Sequence, residues 1–582
     1  MATANLNQLW ARALLDELCA AGLSGAVVCP GSRSALIALA CAEQSDLASW
    51  TALDERSAAF FALGVAKESG VPAAVVATSG TAAANLFPAI VEAAMAHVPL
   101  IVITADRPHE LHGWGSLQTI PQRNLYGQFS RWSVDLGLPE ATPAALAHLR
   151  ATAARAVATS ARSPRGPVHL NAPFREPLAP TFAPADGLEE LEGQAAARGP
   201  RFVPPREEPA DRAMEELRHR LEGSSRGVIV CGPRDVDDGL RGALSALGRR
   251  LGYPVFADAA SQLRFGPGAE PIICHYDLLL RNPGFAASHR PQIVLRFGGP
   301  LVSKVLQAWL DASGAETVSF VENGAPVDPF HSTHTFIEAS PLAVCDRLSA
   351  PFAVERRQWA DSFESAERAI RAMLDASFGG EELLTEPRTC REVTAALPPG
   401  STLFVSSSMP IRDVDAFGSG SAKPLRILAN RGTNGIDGSV STALGAAASS
   451  KRPTVLLTGD LALLHDLGGL LIAAQQRIPL AIVAINNGGG GIFSFLPIAD
   501  FREHFESLFA MPQAVDLSRV AQLFGARHHL PAKPSQLRQA LTTGIEGGLQ
   551  LIEVRTSRLD NPVHHRRLYQ QALDALGTGP WR

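Results

Sequence analysis

Short, uninterrupted apolar runs recur along the chain, each closed by a small or turn-forming residue, and they alternate with stretches of helical period. An apolar run of strand length marks a strand covered on both faces, and strands alternating with helices mark parallel sheets clad in helices. A first block holds GAVVCPGS (25–32), AAVVATSGT (73–81) and PLIVITADRP (99–108), with ERSAAFFALGVAKES (55–69) as a helix between them. A second holds RGVIVCGPRD (226–235), YPVFAD (253–258) and QIVLRFGGPLVSKVLQAWL (292–310). The third holds STLFVSSSMPIRD (401–413), LRILANRGTNGIDG (425–438), RPTVLLTGDLALLHDL (452–467) and IPLAIVAINNGGGGIF (478–493). The pattern predicts an α/β protein of three doubly wound domains with mainly parallel sheets. Pro, Ala and charge mark a linker over 181–212, and a long helix (VERRQWADSFESAERAIRAML) marks a second over 351–385. The domains are then 1–180, 213–350 and 386–582, and no sequence repeat relates them.

Length and composition fit this reading. At 582 residues the chain exceeds one core, and 46% hydrophobic with 19% charged residues is ordinary for a globular protein. A net charge of −5 argues against nucleic acid or an anionic membrane as partner, since both favour basic surfaces. No apolar run approaches the roughly 20 residues of a membrane span. The N-terminal stretch reads as an amphipathic helix, its apolar positions interrupted by charge, and not as a signal peptide. Seven cysteines without a CxxC pair suggest a reducing compartment, so a cytoplasmic location is expected. Arginine supplies nearly all the positive charge, which makes Lys304, the only lysine between Lys67 and Lys423, conspicuous.

The chemistry concentrates at strand ends, where ligands of open α/β sheets collect. Asp460 ends one strand of the third block and Asn487 the next, with the helix-forming DLGGLLIAAQQR between. In a right-handed strand–helix–strand unit those ends are neighbours. A carboxylate and an amide oxygen suit Mg²⁺, which keeps few protein ligands and takes the rest from phosphate and water. The glycine run 488–491 lets backbone approach a diphosphate. Either residue alone reads better as a helix cap or a turn former; together, at this spacing, the metal is the stronger reading. No GxGxxG follows a strand, no Gly-Lys-Ser/Thr occurs and no Gly-x-Ser-x-Gly elbow appears, which disfavours classical dinucleotide, P-loop and hydrolase sites.

GDL…NN resembles the metal-and-diphosphate motif of thiamine diphosphate (ThDP) enzymes, with Leu461 in place of the usual third glycine. The resemblance also asks for a glutamate from another domain, and Glu55, opening the helix ahead of AAVVATSGT, answers it. Further stretches are similar, in order and nearly end to end, to the 2-succinyl-5-enolpyruvyl-6-hydroxy-3-cyclohexene-1-carboxylate (SEPHCHC) synthases of menaquinone biosynthesis: CPGSRSA, TADRPHEL with GSLQTIPQ, SSSMPIRD, ANRGTNGIDG and NNGGGGIFS. That family also writes GDL.

The resemblance implies a ThDP-binding fold, with pyrimidine and diphosphate domains flanking the central one. It implies a transferase that decarboxylates 2-oxoglutarate and adds the succinyl unit 1,4 to isochorismate. The cofactors are ThDP and Mg²⁺, for which Mn²⁺ can substitute. Glu55 acts on the pyrimidine ring, and Asp460, Asn487 and the Gly489 carbonyl hold the metal. Thr78, Ser407, Ser408, Ile436, Gly459, Leu461, Ile492 and Phe493 surround the cofactor. Ser32, Arg33, Arg107, Gln118 and Lys304 face isochorismate, while Ser408, Arg412 and Arg431 face the succinyl carboxylate. Leu117 and Val305 depart from residues that some members carry at those positions. A homodimer is the minimal active unit and a homotetramer the expected assembly. Two other readings remain: a related carboligase such as acetolactate synthase, which a preference for pyruvate would reveal, and a non-catalytic scaffold, which would not bind ThDP.

Overall fold

The computed structural model describes residues 5–180, 191, 199–205, 207–236, 238–268, 272–322, 324–350, 352, 357–380, 383–545 and 547–577. Most of the linker expected over 181–212, and the start of the linker helix expected over 351–385, lie outside these residues; the helix itself is observed as Arg357–Ser377.

Three six-stranded parallel sheets form, one from each block. The first contains β1 (Gly25–Val28), β2 (Ala48–Thr51), β3 (Ala73–Ala77), β4 (Leu100–Asp106), β5 (Trp132–Asp135) and β6 (Pro167–Pro173), in the order β2-β1-β3-β4-β6-β5. The second contains β7 (Gly227–Cys231), β8 (Val255–Ala257), β9 (Ile272–Ile273), β10 (Ile293–Phe297), β11 (Glu316–Val321) and β12 (Thr333–Glu338), ordered β12-β11-β10-β7-β8-β9. The third contains β13 (Thr402–Val405), β14 (Arg426–Leu428), β15 (Thr454–Gly459), β16 (Leu480–Asn486), β17 (Arg527–His529) and β18 (Leu549–Arg555), ordered β14-β13-β15-β16-β18-β17. Central strands such as β3, β7 and β13 are buried at every position, which is why they read as continuous apolar runs rather than alternating ones.

Counted from their own first strands, the first and third sheets share one strand order. The second has the doubly wound order 3-2-1-4-5-6 associated with dinucleotide binding. Its crevice at the strand-order reversal is closed by backbone, however. Gly232 N–H donates to Phe297 O at 2.9 Å, Gly299 N–H donates to Pro233 O at 2.9 Å, and a Cβ on Gly232 would lie 2.0 Å from Gly299 O.

The described residues group into two compact units, 1–205 with 437–451 and 466–478, and 206–436 with 452–465 and 479–582. In the first unit the helix Glu55–Ser69, capped by Asp54 and ended by Gly70 at φ 74°, packs against the helix Ser439–Ser450. The two backbones touch: a Cβ on Gly64 would lie 2.0 Å from Thr442 O, and one on Gly445 2.0 Å from Phe61 O. The second unit joins the second and third sheets through Arg264. This fully buried guanidinium donates to Ala257 O at 2.7 Å, Asp415 O at 2.8 Å and Asp415 Oδ1 at 2.7 Å. Burial, and then the neighbouring Asp258 carboxylate, push the Asp415 carboxyl up to about 7. Among the described residues no helix is long and apolar enough to cross a membrane.

Gly445→Ala should therefore destabilise the protein by about 1–3 kcal/mol, the usual cost of overpacking a core. Gly242→Ala, on the helix Leu240–Leu251 with nothing within 4 Å of the added Cβ, should be neutral or stabilising by about 0.5–1 kcal/mol. Denaturant midpoints of the two variants check both.

Candidate active site

Strands β15 and β16 are adjacent and parallel, with Gly459 opposite Ile485, so the residues that follow them meet at one sheet edge. Asp460 opens the helix Asp460–His465, and its carboxylate bonds both its own helix and the neighbouring turn. Oδ1 accepts the Leu461 N–H at 2.8 Å; Oδ2 accepts the N–H groups of Gly488 at 3.1 Å and Gly489 at 2.8 Å. Burial raises the Asp460 pKa against these three donors. The turn is built from glycine by necessity: Gly489 sits at φ 134°, and a Cβ there would lie 2.2 Å from Ala510 O.

Asn487 donates its Nδ2 to the buried Glu386 Oε1 at 2.9 Å, and its Oδ1 is buried with no hydrogen-bond partner. A buried carboxylate lacking a cation, beside an amide oxygen lacking a donor, is a donor set that fits a hard divalent ion. Gly459 has nothing within 4 Å of the Cβ position, which leaves room for a diphosphate at the strand end. Among the described residues no group of three or more His, Cys, Asp or Glu could hold a metal ion.

The same edge carries Ser407 and Ser408 after β13. Ser407 Oγ donates to Asn430 O at 3.3 Å, and Ser408 adopts φ 74° ahead of the helix Met409–Phe417. Arg412 on that helix donates to Ser408 O. Its pKa is lowered by burial and then by the charge of Arg431. Leu461, Ile436, Ile492 and Phe493 are half-buried, and the Phe493 ring packs on Phe509 at 5.8 Å. Lys304 is exposed at the start of the helix Lys304–Ser313. The turn before it is tied down where Asp258 accepts the Val302 N–H at 2.9 Å, and Asp258 in turn feels the charge of Arg431.

A second cluster forms at the carboxyl edge of the first sheet. Gly31, before Ser32 and Arg33, abuts Thr78, which follows β3: a Cβ on Gly31 would lie 2.3 Å from the Thr78 Cβ. Arg33 donates to Phe174 O at 3.0 Å. Arg107, following β4, bonds Ser79 Oγ and donates to Gln118 Oε1 at 3.3 Å. Burial and then the Arg33 charge lower the Arg107 pKa. Each cluster thus holds two guanidiniums close enough to feel each other, an arrangement that an anionic ligand relieves. Asp106 and His109, which flank Arg107, have other work or stand apart. Asp106 is fully buried and bonds Asn171 Nδ2 at 2.9 Å, while His109 is largely exposed.

Glu55 occupies the first turn of its helix, half-buried, with Asn85 Nδ2 at 3.5 Å from Oε2. Its helix is seated by Asp466, which accepts Ser441 N–H at 2.7 Å, Ser441 Oγ–H at 2.8 Å and Ser57 Oγ–H at 3.3 Å. Burial pushes the Asp466 carboxyl up to about 6.

Sequence reasoning missed Asp466, and also a buried acidic group behind Asn487. There Glu386 is pushed up to about 7 by burial and then by Asp413, and His565 Nε2 lies 2.8 Å from Asp413 Oδ1. The Asp413 contact raises the His565 pKa against the opposing pull of burial. In the sequence Glu386 is one more acid in a helix's first turn, and nothing local distinguishes it from a dipole charge.

Comparison with known proteins follows this geometry. Residues 10–125 match the N-terminal TPP binding domain of thiamine pyrophosphate enzymes, 205–405 their middle domain, and 416–554 their C-terminal TPP binding domain. The chain is 55% identical to a 2-succinyl-5-enolpyruvyl-6-hydroxy-3-cyclohexene-1-carboxylate synthase of Myxococcus xanthus, over 99% of both chains. It is 43% identical to the synthase of the same name from Geobacillus kaustophilus, over 97% of both. Among solved structures it shares its fold with benzoylformate decarboxylase from Polynucleobacter necessarius, at TM-score 0.69 and 17% identity, covering 96% of this chain and 99% of that one.

Because Gly489 combines a positive φ with backbone contact, Gly489→Ala should break the turn that bonds Asp460. The expected result is at least a tenfold loss in metal-dependent ThDP affinity, measured by calorimetry with and without Mg²⁺.

Proposed function

The chain belongs to the family of SEPHCHC synthases, which are thiamine pyrophosphate enzymes, and on that footing we propose how its residues divide the family's reaction. The substrates are 2-oxoglutarate and isochorismate, and the products are SEPHCHC and CO₂. One observation carries the reading: a buried Asp460 carboxylate and a partnerless Asn487 amide oxygen stand at adjacent strand ends.

ThDP, when bound, supplies a nucleophilic carbon and an electron sink for the decarboxylation. Asp460, Asn487 and the Gly489 carbonyl would hold the Mg²⁺ that accompanies ThDP, and the face at Gly459 is open beside them. Glu55 would hydrogen-bond the aminopyrimidine ring of ThDP and exchange a proton with it. Ser408, Arg412 and Arg431 take the succinyl carboxylate; Ser32, Arg33, Arg107, Gln118 and Lys304 take isochorismate. Planar guanidiniums suit this task because they grip carboxylates through two parallel hydrogen bonds. The paired arginines are prepaid in electrostatic terms: the protein sets the like charges together on folding, and each anionic substrate relieves the repulsion on arrival. The apolar Ile436, Leu461, Ile492 and Phe493 would line bound ThDP and keep water from its reacting carbon. We further propose a cytoplasmic homodimer as the minimal active unit, with each site drawing Glu55 from one chain and Asp460 from the other, and a homotetramer as the assembled form.

Glu55→Gln should retain ThDP binding while slowing exchange of the cofactor's C2 proton by about 10²–10⁴-fold, the span of general acid–base catalysis. Exchange at the wild-type rate would refute the role of Glu55. Arg412→Ala should raise the KM for 2-oxoglutarate by about tenfold to a hundredfold, matching a charge-assisted contact of roughly 1.5–3 kcal/mol. Steady-state kinetics with each substrate varied separately checks this.

A further inference from the structure

Asn487 can offer a metal its amide oxygen only if the amide is turned the right way, and the two ends of an amide have nearly the same shape. The orientation must therefore be fixed by whatever the other end touches. Here the Nδ2 end meets Glu386 Oε1 at 2.9 Å, and Thr556 Oγ1 lies 3.4 Å from the same oxygen. The Glu386 Oε1 accepts from Nδ2, so the carboxyl takes the nitrogen end and leaves Oδ1 facing away. That Oδ1 is buried and has no hydrogen-bond partner. The amide is also confined sterically, since a Cβ on Gly491 would lie 2.5 Å from Nδ2. The preceding residue is anchored likewise, with Asn486 Nδ2 donating to Glu553 Oε1 at 2.9 Å. Each asparagine of the pair is thus oriented by its own glutamate, and of the two it is the Asn487 oxygen that is buried without a partner.

We propose that Glu386 is a positioning residue for the metal: by accepting the Asn487 amide N–H it presents Asn487 Oδ1 as the neutral ligand of the divalent ion that binds ThDP. This rests on the metal role assigned to Asn487 above. Glu386 reaches the site from the helix Glu386–Ala396, whose first turn is preceded by the N-capping Thr385. It therefore stands outside the strand-end motif, in a segment that packs beside the third sheet. Partners that orient ligands in this way typically govern metal affinity by about 10–100-fold.

The test measures Mn²⁺ affinity of the ThDP-loaded protein by the loss of the electron paramagnetic resonance signal of aqueous Mn²⁺, which needs no turnover. Glu386→Met keeps the side chain's bulk but removes the acceptor, and should weaken Mn²⁺ by about 10–100-fold. Glu386→Gln retains an acceptor oxygen and should stay within about threefold of wild type, since a neutral amide can still receive the Asn487 N–H. Asn487→Asp sets two carboxylates face to face and should weaken Mn²⁺ at least tenfold. Adding Glu386→Gln to it restores a hydrogen bond with donor and acceptor exchanged, and should recover most of that loss.

If Asn487→Ala leaves Mn²⁺ affinity unchanged, the metal role of Asn487 itself is wrong. If Asn487→Ala weakens binding while Glu386→Met does not, that role stands and the positioning proposal is overturned. Should Glu386→Met fail to fold, the exchanged pair decides: an Asn487→Asp/Glu386→Gln double variant no better than Asn487→Asp alone overturns the proposal.

Discussion

Two hydrogen bonds, from the N–H groups of Gly488 and Gly489 to the Asp460 carboxylate, turn two neighbouring strand ends into one site. Parallel pairing of β15 and β16 brings the strands' carboxyl ends to one edge, but it does not fix the loops beyond them. The carboxylate does, by gathering the glycine turn around itself. The position of the glycine turn follows from those bonds, while the direction of the Asn487 amide is set by Glu386. The cost is a carboxylate held in a buried place with its charge only partly met, as its raised pKa records. A bound cation would remove that cost, so folding and metal binding favour the same geometry.

The arginines obey the complementary rule. Burial and the charge of Arg33 lower the Arg107 pKa, and burial and the charge of Arg431 lower that of Arg412. Backbone carbonyls hold them in place: Arg33 on Phe174 O and Arg412 on Ser408 O.

Much of this was legible in the sequence because strand ends are punctuated. Apolar runs stopping at Pro-Gly-Ser, Thr-Ser-Gly, Gly-Asp and Asn-Asn-Gly announced the sheets, and the residues after each run are the candidates that the fold brings to the sheet edges. What could not be read were contacts between segments far apart in the chain. Asp466 meets Ser57 across 409 positions and Asn487 meets Glu386 across 101. Neither partner sits in a pattern that a local window can detect. Nor could the sequence show that the helix Ser439–Ser450 groups with the first block's residues. The reason lies in two glycines, Gly64 and Gly445, which let helix backbones touch, and glycine within a helix ordinarily reads as mere weakness.

The shared strand order of the first and third sheets has a consequence of its own. Strand for strand, β3 corresponds to β15 and β4 to β16. Where the third sheet follows these strands with Asp460 and Asn487, the first follows them with Thr78 and Arg107. The same strand order thus occurs twice in the chain, with a carboxylate after β15 in one sheet and a guanidinium after β4 in the other. The two sheets share a topology without sharing the residues that follow their equivalent strands, so the order of strands does not dictate the chemistry placed at their ends.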